Sequence, residues 1–183
     1  MKKKITIIIT LLFLLTTILF SQKKANLDGI KIGNMAPEIE LPTVDGEIFK
    51  LSQLKGKFVL VSFWASWCTP CRKKTPELLE VYNMYKDLDF YDGEKGFEIV
   101  SVSLDRNETD WKNSIDKDGI GEFLNVGDMK GWDCIAAKSY NIKSIPSSVL
   151  LDGEGKIIAI DLSPKDLDKK LKRMNQGPWY RFW

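Results

Sequence analysis

One stretch of this sequence places two cysteines three positions apart: Phe63-Trp64-Ala65-Ser66-Trp67-Cys68-Thr69-Pro70-Cys71. It follows a nearly continuous apolar run that begins at Phe58, which predicts a strand buried on both faces over 58–64. Downstream, residues 75–85 carry apolar side chains at helical spacing. The two cysteines therefore lie at the junction between a buried strand and the N-terminus of a helix.

This junction suits a reactive thiol. A thiol acts as a nucleophile in its thiolate form, and unpaired N–H groups at a helix N-terminus lower the thiol pKa. Pro70 fits the first turn of the helix, where a missing N–H costs nothing. Cys71 lies about one turn beyond Cys68, close enough for a small disulfide loop. We therefore expect Cys68 to attack a substrate disulfide and Cys71 to resolve the mixed disulfide.

Other interpretations of the cysteine pair remain open on the sequence, namely half of a zinc site or an inert structural disulfide. A zinc site needs four ligands, whereas the chain offers one further cysteine, Cys134, and no histidine. The strand-to-helix context favours redox chemistry over a structural disulfide. We expect no metal and no cofactor. Cys134 is predicted to be a small buried or partly exposed thiol, with a redox or regulatory partnership as the alternative.

The composition excludes several classes of function. The chain has 183 residues, 44% of them hydrophobic and 28% charged, which suits one globular domain with a short appendage. The absence of histidine removes Ser-His-Asp and Cys-His catalysis and every His-ligated metal site. Because 27 basic residues face 25 acidic ones, we expect no binding to nucleic acid.

Residue patterns along the chain predict one α/β domain with a mixed sheet. The Asp45-Gly46 turn signal joins two strands of an N-terminal hairpin. The remaining predicted elements are a buried strand over 97–104, helices over 108–115 and 135–140 separated by a Gly/Asp-rich stretch, a hairpin over 148–160, and a helix from 164 to 174.

The two ends of the chain differ from the domain. A basic head, Lys2 to Lys4, precedes sixteen uncharged apolar residues over 5–20, which predicts a signal peptide over 1–21. An uncleaved membrane anchor is the alternative. A linker follows over 22–33, and an aromatic tail occupies 175–183, where we expect packing on an apolar patch rather than docking on a partner or membrane.

The cysteine-containing stretch, residues 63–71, resembles the active site of the thioredoxin superfamily. The Met35-Ala36-Pro37 entry, the hairpin and the N-terminal signal resemble its exported TlpA/ResA-like branch, and residues 140–152 resemble the cis-proline segment with its following strand. The resemblance covers residues 34–174. It implies a thioredoxin-like fold, with a mixed central sheet flanked by helices and an added N-terminal β-hairpin, and it implies thiol–disulfide exchange.

The resemblance also implies roles for residues beside the cysteines. Pro146 would be cis and lie against Cys68, and Ile145 would offer its backbone to an extended substrate; an ordinary trans proline is the alternative. The substrate-binding set is expected to comprise Trp67, Thr69, Pro70, Ile145 and Pro146, although Trp67 could equally serve packing.

Two positions depart from the family pattern. Thioredoxins usually have a buried Asp six residues before the first cysteine, where this chain has Ser62. Many ResA-like proteins have a Glu three residues after the second cysteine, where this chain has Lys74. We expect Lys74 to be a solvated helix residue, with electrostatic lowering of the pKa of a nearby thiol as the alternative. The sequence therefore identifies no group that manages the proton of the resolving thiol.

These observations predict an exported thiol–disulfide oxidoreductase of the periplasm or cell envelope. The resemblance to the TlpA/ResA-like branch implies that it would reduce specific envelope proteins and be recharged by a membrane thiol–disulfide electron donor. The protein itself would contact the membrane only if residues 1–21 are retained. One alternative is a peroxiredoxin-like peroxidase, but the Pro-x-x-x-Thr-x-x-Cys pattern of those enzymes is absent before Cys68. A disulfide-donating oxidase and a binding module with incidental cysteines are the others. The absence of histidine between the cysteines favours a reducing couple.

Overall fold

The structure is a computed structural model that describes residues 30–176. Its strands are β1 (Glu40–Pro42), β2 (Ile48–Lys50), β3 (Phe58–Trp64), β4 (Phe97–Ser103), β5 (Leu124–Val126), β6 (Ser147–Leu151) and β7 (Ile157–Ile160). Its helices are α1 (Thr69–Tyr85), α2 (Glu108–Asp118), α3 (Ile135–Ser139) and α4 (Pro164–Gln176), with short 3₁₀ segments over Leu51–Leu54 and Gly131–Asp133. The predicted signal and most of the predicted linker and tail lie outside the described residues.

Five strands form the central sheet, in the order β5-β4-β3-β6-β7. Strand β3 runs parallel to β4, with Phe58 opposite Phe97, and antiparallel to β6, with Phe63 opposite Ser147. Strands β1 and β2 form a separate antiparallel pair. The predicted mixed sheet with an added N-terminal hairpin is therefore confirmed.

The apolar sequence of β3 explains its central place in the sheet. Every residue of this strand except Ser62 is buried, so both of its faces are covered. Helix α1 packs against β4 and α4. Aromatic pairs join the layers, with 5.1 Å between the ring centroids of Tyr82 and Phe123 and 5.4 Å between those of Phe63 and Tyr140. The core is thus continuous around the strand that leads to the cysteines.

The stretch between α2 and α3 differs from the sequence prediction. It was expected to be a Gly/Asp-rich connection, but it contains β5, which pairs in parallel with β4. Three residues are too few to show the alternation by which a strand is recognised. The buried Asn125 amide donates to the carbonyls of Ile120 and Phe123, so a polar residue inside the strand satisfies the preceding turn.

Two helices extend beyond their predicted ends. Helix α2 runs three residues past Ile115 and ends at Gly119, whose φ of 69° is the left-handed conformation that glycine adopts readily. Helix α4 continues to Gln176, so the first two residues of the predicted tail are helical. Among residues 30–176, no helix is both long and apolar enough to cross a membrane.

Candidate active site

The two cysteines lie at the start of the helix that follows the central strand. Cys68 is the N-cap residue of α1, and its Sγ accepts a hydrogen bond of 3.2 Å from the backbone N–H of Cys71. Pro70 falls in the first turn of the helix, where its missing N–H leaves no hydrogen bond unmade. The sulfur of Cys68 therefore lies at the positive end of a helix dipole built from 17 residues.

The cysteines form a disulfide with an S–S distance of 2.01 Å and a Cα–Cα distance of 5.3 Å. Both side chains are buried, whereas Trp67, Thr69 and Pro70 beside them are exposed. These three residues are therefore the ones beside the disulfide that a partner can contact. Their expected part in substrate binding remains a prediction.

The peptide bond between Ile145 and Pro146 is cis, which confirms the conformation implied by the family resemblance. Both residues are half-buried, and Pro146 lies in the wall of a cavity that also reaches Cys71. The loop before β6 is therefore brought to the cysteine pair across about 75 residues of sequence, because β6 pairs directly with β3.

The same cavity contains both residues that depart from the family pattern. Ser62 and Lys74 line it together with Cys71, and Lys74 is exposed, as expected. Asp161, which the sequence analysis did not single out, adds a carboxyl group to the lining and accepts hydrogen bonds from the Ser147 hydroxyl at 2.7 Å and the Ser148 N–H at 2.8 Å. Ser62, Lys74 and Asp161 thus bring polar groups into the cavity that Cys71 lines.

Asp105 holds the loop that leads into the cysteine pair. Its carboxylate, in a residue only 2% exposed, accepts hydrogen bonds from the Ser66 N–H at 3.0 Å and from the hydroxyls of Ser66 at 2.6 Å and Ser103 at 2.7 Å. This residue was not among those predicted from the sequence. The available signal was an acidic side chain just after the predicted buried strand over 97–104, since neighbouring parallel strands end at the same edge of a sheet.

Arg72 also contacts the loop before Cys68. Its guanidinium donates two hydrogen bonds to the carboxylate of Asp118, at 2.6 Å and 2.5 Å, and a weaker one of 3.5 Å to the Ser66 carbonyl. The hydrogen bond to Asp118 raises the pKa of Arg72 above its ordinary value. Arg72 therefore ties α1 to the C-terminal end of α2 and, more weakly, to the loop before Cys68.

Cys134 is fully buried and forms no disulfide. Burial raises the pKa of its thiol, and the nearby carboxylate of Asp128 raises it further, against the opposing effect of backbone N–H groups in α3. A thiol held in its protonated form and shielded from solvent is a poor nucleophile. The buried alternative of the sequence prediction is thus the one observed.

The site combines a disulfide-bonded Cys-x-x-Cys pair at the start of a helix with a cis-proline loop nearby. The helix follows the central strand of a mixed sheet. This combination defines a thioredoxin-like thiol–disulfide oxidoreductase. Residues 56–157 match the family model described as thioredoxin-like, which covers more than half of the chain. The chain belongs to the thioredoxin superfamily, as a TlpA/ResA-like member, and it is a protein-disulfide oxidoreductase.

Named relatives agree with this assignment. The chain is 33% identical over 134 residues to the thiol-disulfide oxidoreductase ResA of Bacillus thuringiensis, covering 73% of this chain and 71% of the relative. It superposes with a TM-score of 0.71 and 38% identity on the thioredoxin domain of a thiol-disulfide oxidoreductase from Bacteroides vulgatus, covering 80% of this chain and 99% of that domain. A thiol:disulfide interchange protein from a Bacteroides species gives a TM-score of 0.71 at 37% identity, covering 81% and 93% of the two chains.

Proposed function

We propose that this protein is exported and reduces disulfides of specific cell-envelope proteins, with Cys68 as the nucleophile and Cys71 as the resolving thiol. The observation that carries the assignment of roles is the position of Cys68, whose Sγ caps α1 and whose neighbours Trp67 and Thr69 are exposed. Cys71 lies one turn inside the helix and lines the inner cavity. A helix N-terminus stabilises the thiolate of Cys68 when the pair is reduced.

The exchange proceeds in two displacement steps. The thiolate of Cys68 attacks one sulfur of the substrate disulfide, whose S–S bond breaks, and the departing substrate sulfur takes up a proton. Cys71 then loses its proton and attacks Sγ of Cys68, which forms the Cys68–Cys71 disulfide and releases the second substrate thiol. Two electrons pass from the protein to the substrate. Because Cys68 reacts as the thiolate, one of the two protons that the substrate thiols gain comes from Cys71 and the other from solvent.

Substrate contacts are proposed for the exposed residues around Cys68 and for the cis-proline loop. Trp67, Thr69 and Pro70 would contact side chains that flank the substrate cysteine, and Ile145 would offer its backbone to the extended substrate next to Pro146. The half-buried position of the loop beside the cavity supports this arrangement.

The protein would act outside the cytoplasm and would need a reductant there for its Cys68–Cys71 disulfide. The basic and apolar N-terminal segment supports export to the periplasm or cell envelope, where a dithiol of a membrane protein would reduce the Cys68–Cys71 disulfide. Contact of this protein itself with the membrane would require that the N-terminal segment is retained. The absence of histidine between the cysteines supports a reducing couple, because no imidazolium adds to the stabilisation of the thiolate.

The equilibrium reduction potential of the Cys68–Cys71 pair tests the direction of electron flow. We expect a value near about −250 mV or lower, in the range of thioredoxin-like donors. A value near about −120 mV would instead identify a disulfide donor and would overturn the proposed direction. Titration against a dithiol buffer, with Cys134→Ala as the background, measures the pair alone.

Mixed-disulfide trapping tests the assignment of roles. Cys71→Ser keeps the nucleophile but removes the resolving thiol, so substrate proteins should accumulate bonded to Cys68. Cys68→Ser is the matched control and should trap nothing, also in the Cys134→Ala background. Trapping by Cys68→Ser at the level of Cys71→Ser would reverse the two roles, and trapping by neither variant would contradict exchange with envelope proteins.

A further inference from the structure

An exposed tryptophan from a distant part of the chain lies beside the active-site loop. Trp132, in the 3₁₀ segment before α3, has its ring centroid 6.4 Å from that of Trp67, the residue that precedes Cys68. The two side chains are 44% and 57% exposed. Their planes meet at 52°, so the rings are not stacked and each keeps a face open to solvent.

Trp132 is held in this position by its surroundings. The backbone N–H of Gly131 donates to the carbonyl of Asp105, the residue whose carboxylate holds Ser66. Gly131 has a φ of 60°, and an added Cβ would lie 2.7 Å from the side chain of Arg106. One residue, Asp105, therefore ties together the loops that carry Trp67 and Trp132.

The charges around Trp132 indicate which side chains this surface accepts. Asp133, the residue after Trp132, is paired with both Arg106, at 3.3 Å, and Lys138, at 2.9 Å, so two cations share the one acid next to Trp132 in the chain. A tryptophan face attracts cations as well as apolar groups, but the positive charges of Arg106 and Lys138 oppose the binding of a cationic substrate side chain. An aromatic or large aliphatic side chain is the group that gains from contact with both indoles.

We propose that Trp132 is a specificity-determining residue, which together with Trp67 binds an aromatic or large aliphatic side chain next to the reacting cysteine of the substrate polypeptide. This inference rests on the proposed function, because the occupant is the polypeptide whose disulfide Cys68 attacks. The position of Trp67 immediately before Cys68 places the pair where the flanking residues of that polypeptide must lie.

The test compares peptide disulfides that differ only in the residue next to the cysteine, which is Phe, Ala or Lys. Full-length protein should reduce the Phe peptide about fivefold to tenfold faster, in kcat/KM, than the Ala peptide, because a buried ring adds about 1 kcal/mol of contact energy. Trp132→Ala should bring the ratio close to one through KM, and Trp132→Phe should restore most of it. Reduction of a small hydroxyethyl disulfide should not change.

Tyr91→Ala is the matched control, since Tyr91 is 54% exposed and follows the opposite end of α1. An unchanged Phe-to-Ala ratio in Trp132→Ala, or a preference of the unmodified protein for the Lys peptide, would overturn the proposal. So would a dimer of the unmodified protein that Trp132→Ala dissolves, because a second copy would then cover the surface. If the unmodified protein reduced neither the peptides nor the small disulfide, the proposed function itself would fail.

Discussion

Cys68 and Cys134 occupy equivalent local positions but differ in their environment. Each is the N-cap residue of a helix, Cys68 of α1 with 17 residues and Cys134 of α3 with five. Cys68 is bonded to Cys71 and bordered by exposed residues, whereas Cys134 is fully buried and lies near the carboxylate of Asp128. Burial and the acid together raise the pKa of Cys134 despite the N–H groups of its helix.

This difference shows that a helix N-terminus does not by itself make a cysteine reactive. The N–H groups favour a thiolate by an amount that desolvation easily exceeds. The active-site pair combines the helix terminus with exposed neighbouring residues and with a second cysteine at bonding distance.

Removal of each cysteine gives the largest expected contrast. Cys68→Ser should lower the rate of disulfide exchange by about 1000-fold or more, because the nucleophile is lost. Cys134→Ala should leave this rate within about twofold, because its thiol takes no part in the chemistry. Reduction of a model protein disulfide measures both variants. A large loss of activity in Cys134→Ala, with its fold intact by circular dichroism, would contradict the contrast.

Alkylation compares the two thiols within one molecule. After reduction, iodoacetamide at pH 7.5 should modify Cys68 at least about 100-fold faster than Cys134, since each unit of pKa changes the thiolate fraction tenfold and burial requires opening. Mass spectrometry of the separated peptides gives both rates. In concentrated urea the two rates should converge, and comparable rates in the folded protein would refute the assigned environments.

Asp105→Asn should loosen the active-site region selectively. The variant replaces a buried carboxylate, which accepts hydrogen bonds from the hydroxyls of Ser66 and Ser103, with an amide. Because these hydrogen bonds are weakened, the free energy of unfolding should fall by about 1–3 kcal/mol. The rate of Cys68 alkylation should change because its loop is less fixed, while Cys134 stays protected. Asp92→Asn, on an exposed loop, is the matched control and should leave the denaturation midpoint unchanged.

The smallest expected effect is on the free energy of unfolding at alkaline pH. The folded protein keeps the proton of Cys134, because its pKa is raised, while the unfolded chain releases it above about pH 8.5. The stabilising contribution is therefore complete below that pH and is lost as the pH rises toward the folded pKa.

With the Cys68–Cys71 disulfide intact, the free energy of unfolding should fall by about 1 kcal/mol more in the unmodified protein than in Cys134→Ala between pH 8 and 10. Urea denaturation at a series of pH values measures this difference. Parallel curves for the two proteins would show that the Cys134 thiol ionises alike in the folded and unfolded states.

Several parts of the fold and site could be predicted from the sequence. The apolar run over 58–64 matches β3 residue for residue, and the predicted hairpin around Asp45-Gly46 forms β1 and β2. The helix start beside Cys68 followed from the strand-to-helix junction and from Pro70. These features depend on near neighbours in the chain, so local pattern was sufficient.

Other parts were missed because they depend on distant contacts. Strand β5 is recognised by its pairing with β4, not by its three residues. Asp105 meets Ser66 across 39 positions, and Trp132 meets Trp67 across a longer separation. The sequence shows an aspartate after a strand and a tryptophan in a loop, but it does not show which distant residue each one contacts.

The sequence by itself determined the chemistry of this protein: two cysteines three positions apart at a helix start, no histidine to assist them, and no carboxylate at the two positions where relatives carry one. The tertiary structure decided which residues surround each cysteine, which side chains brace the active-site loop and which tryptophans share a surface. The physical reason is that bonding and helix capping act between near neighbours, whereas burial and loop contacts arise when the parallel pairing of β3 and β4 brings distant residues to one edge of the sheet.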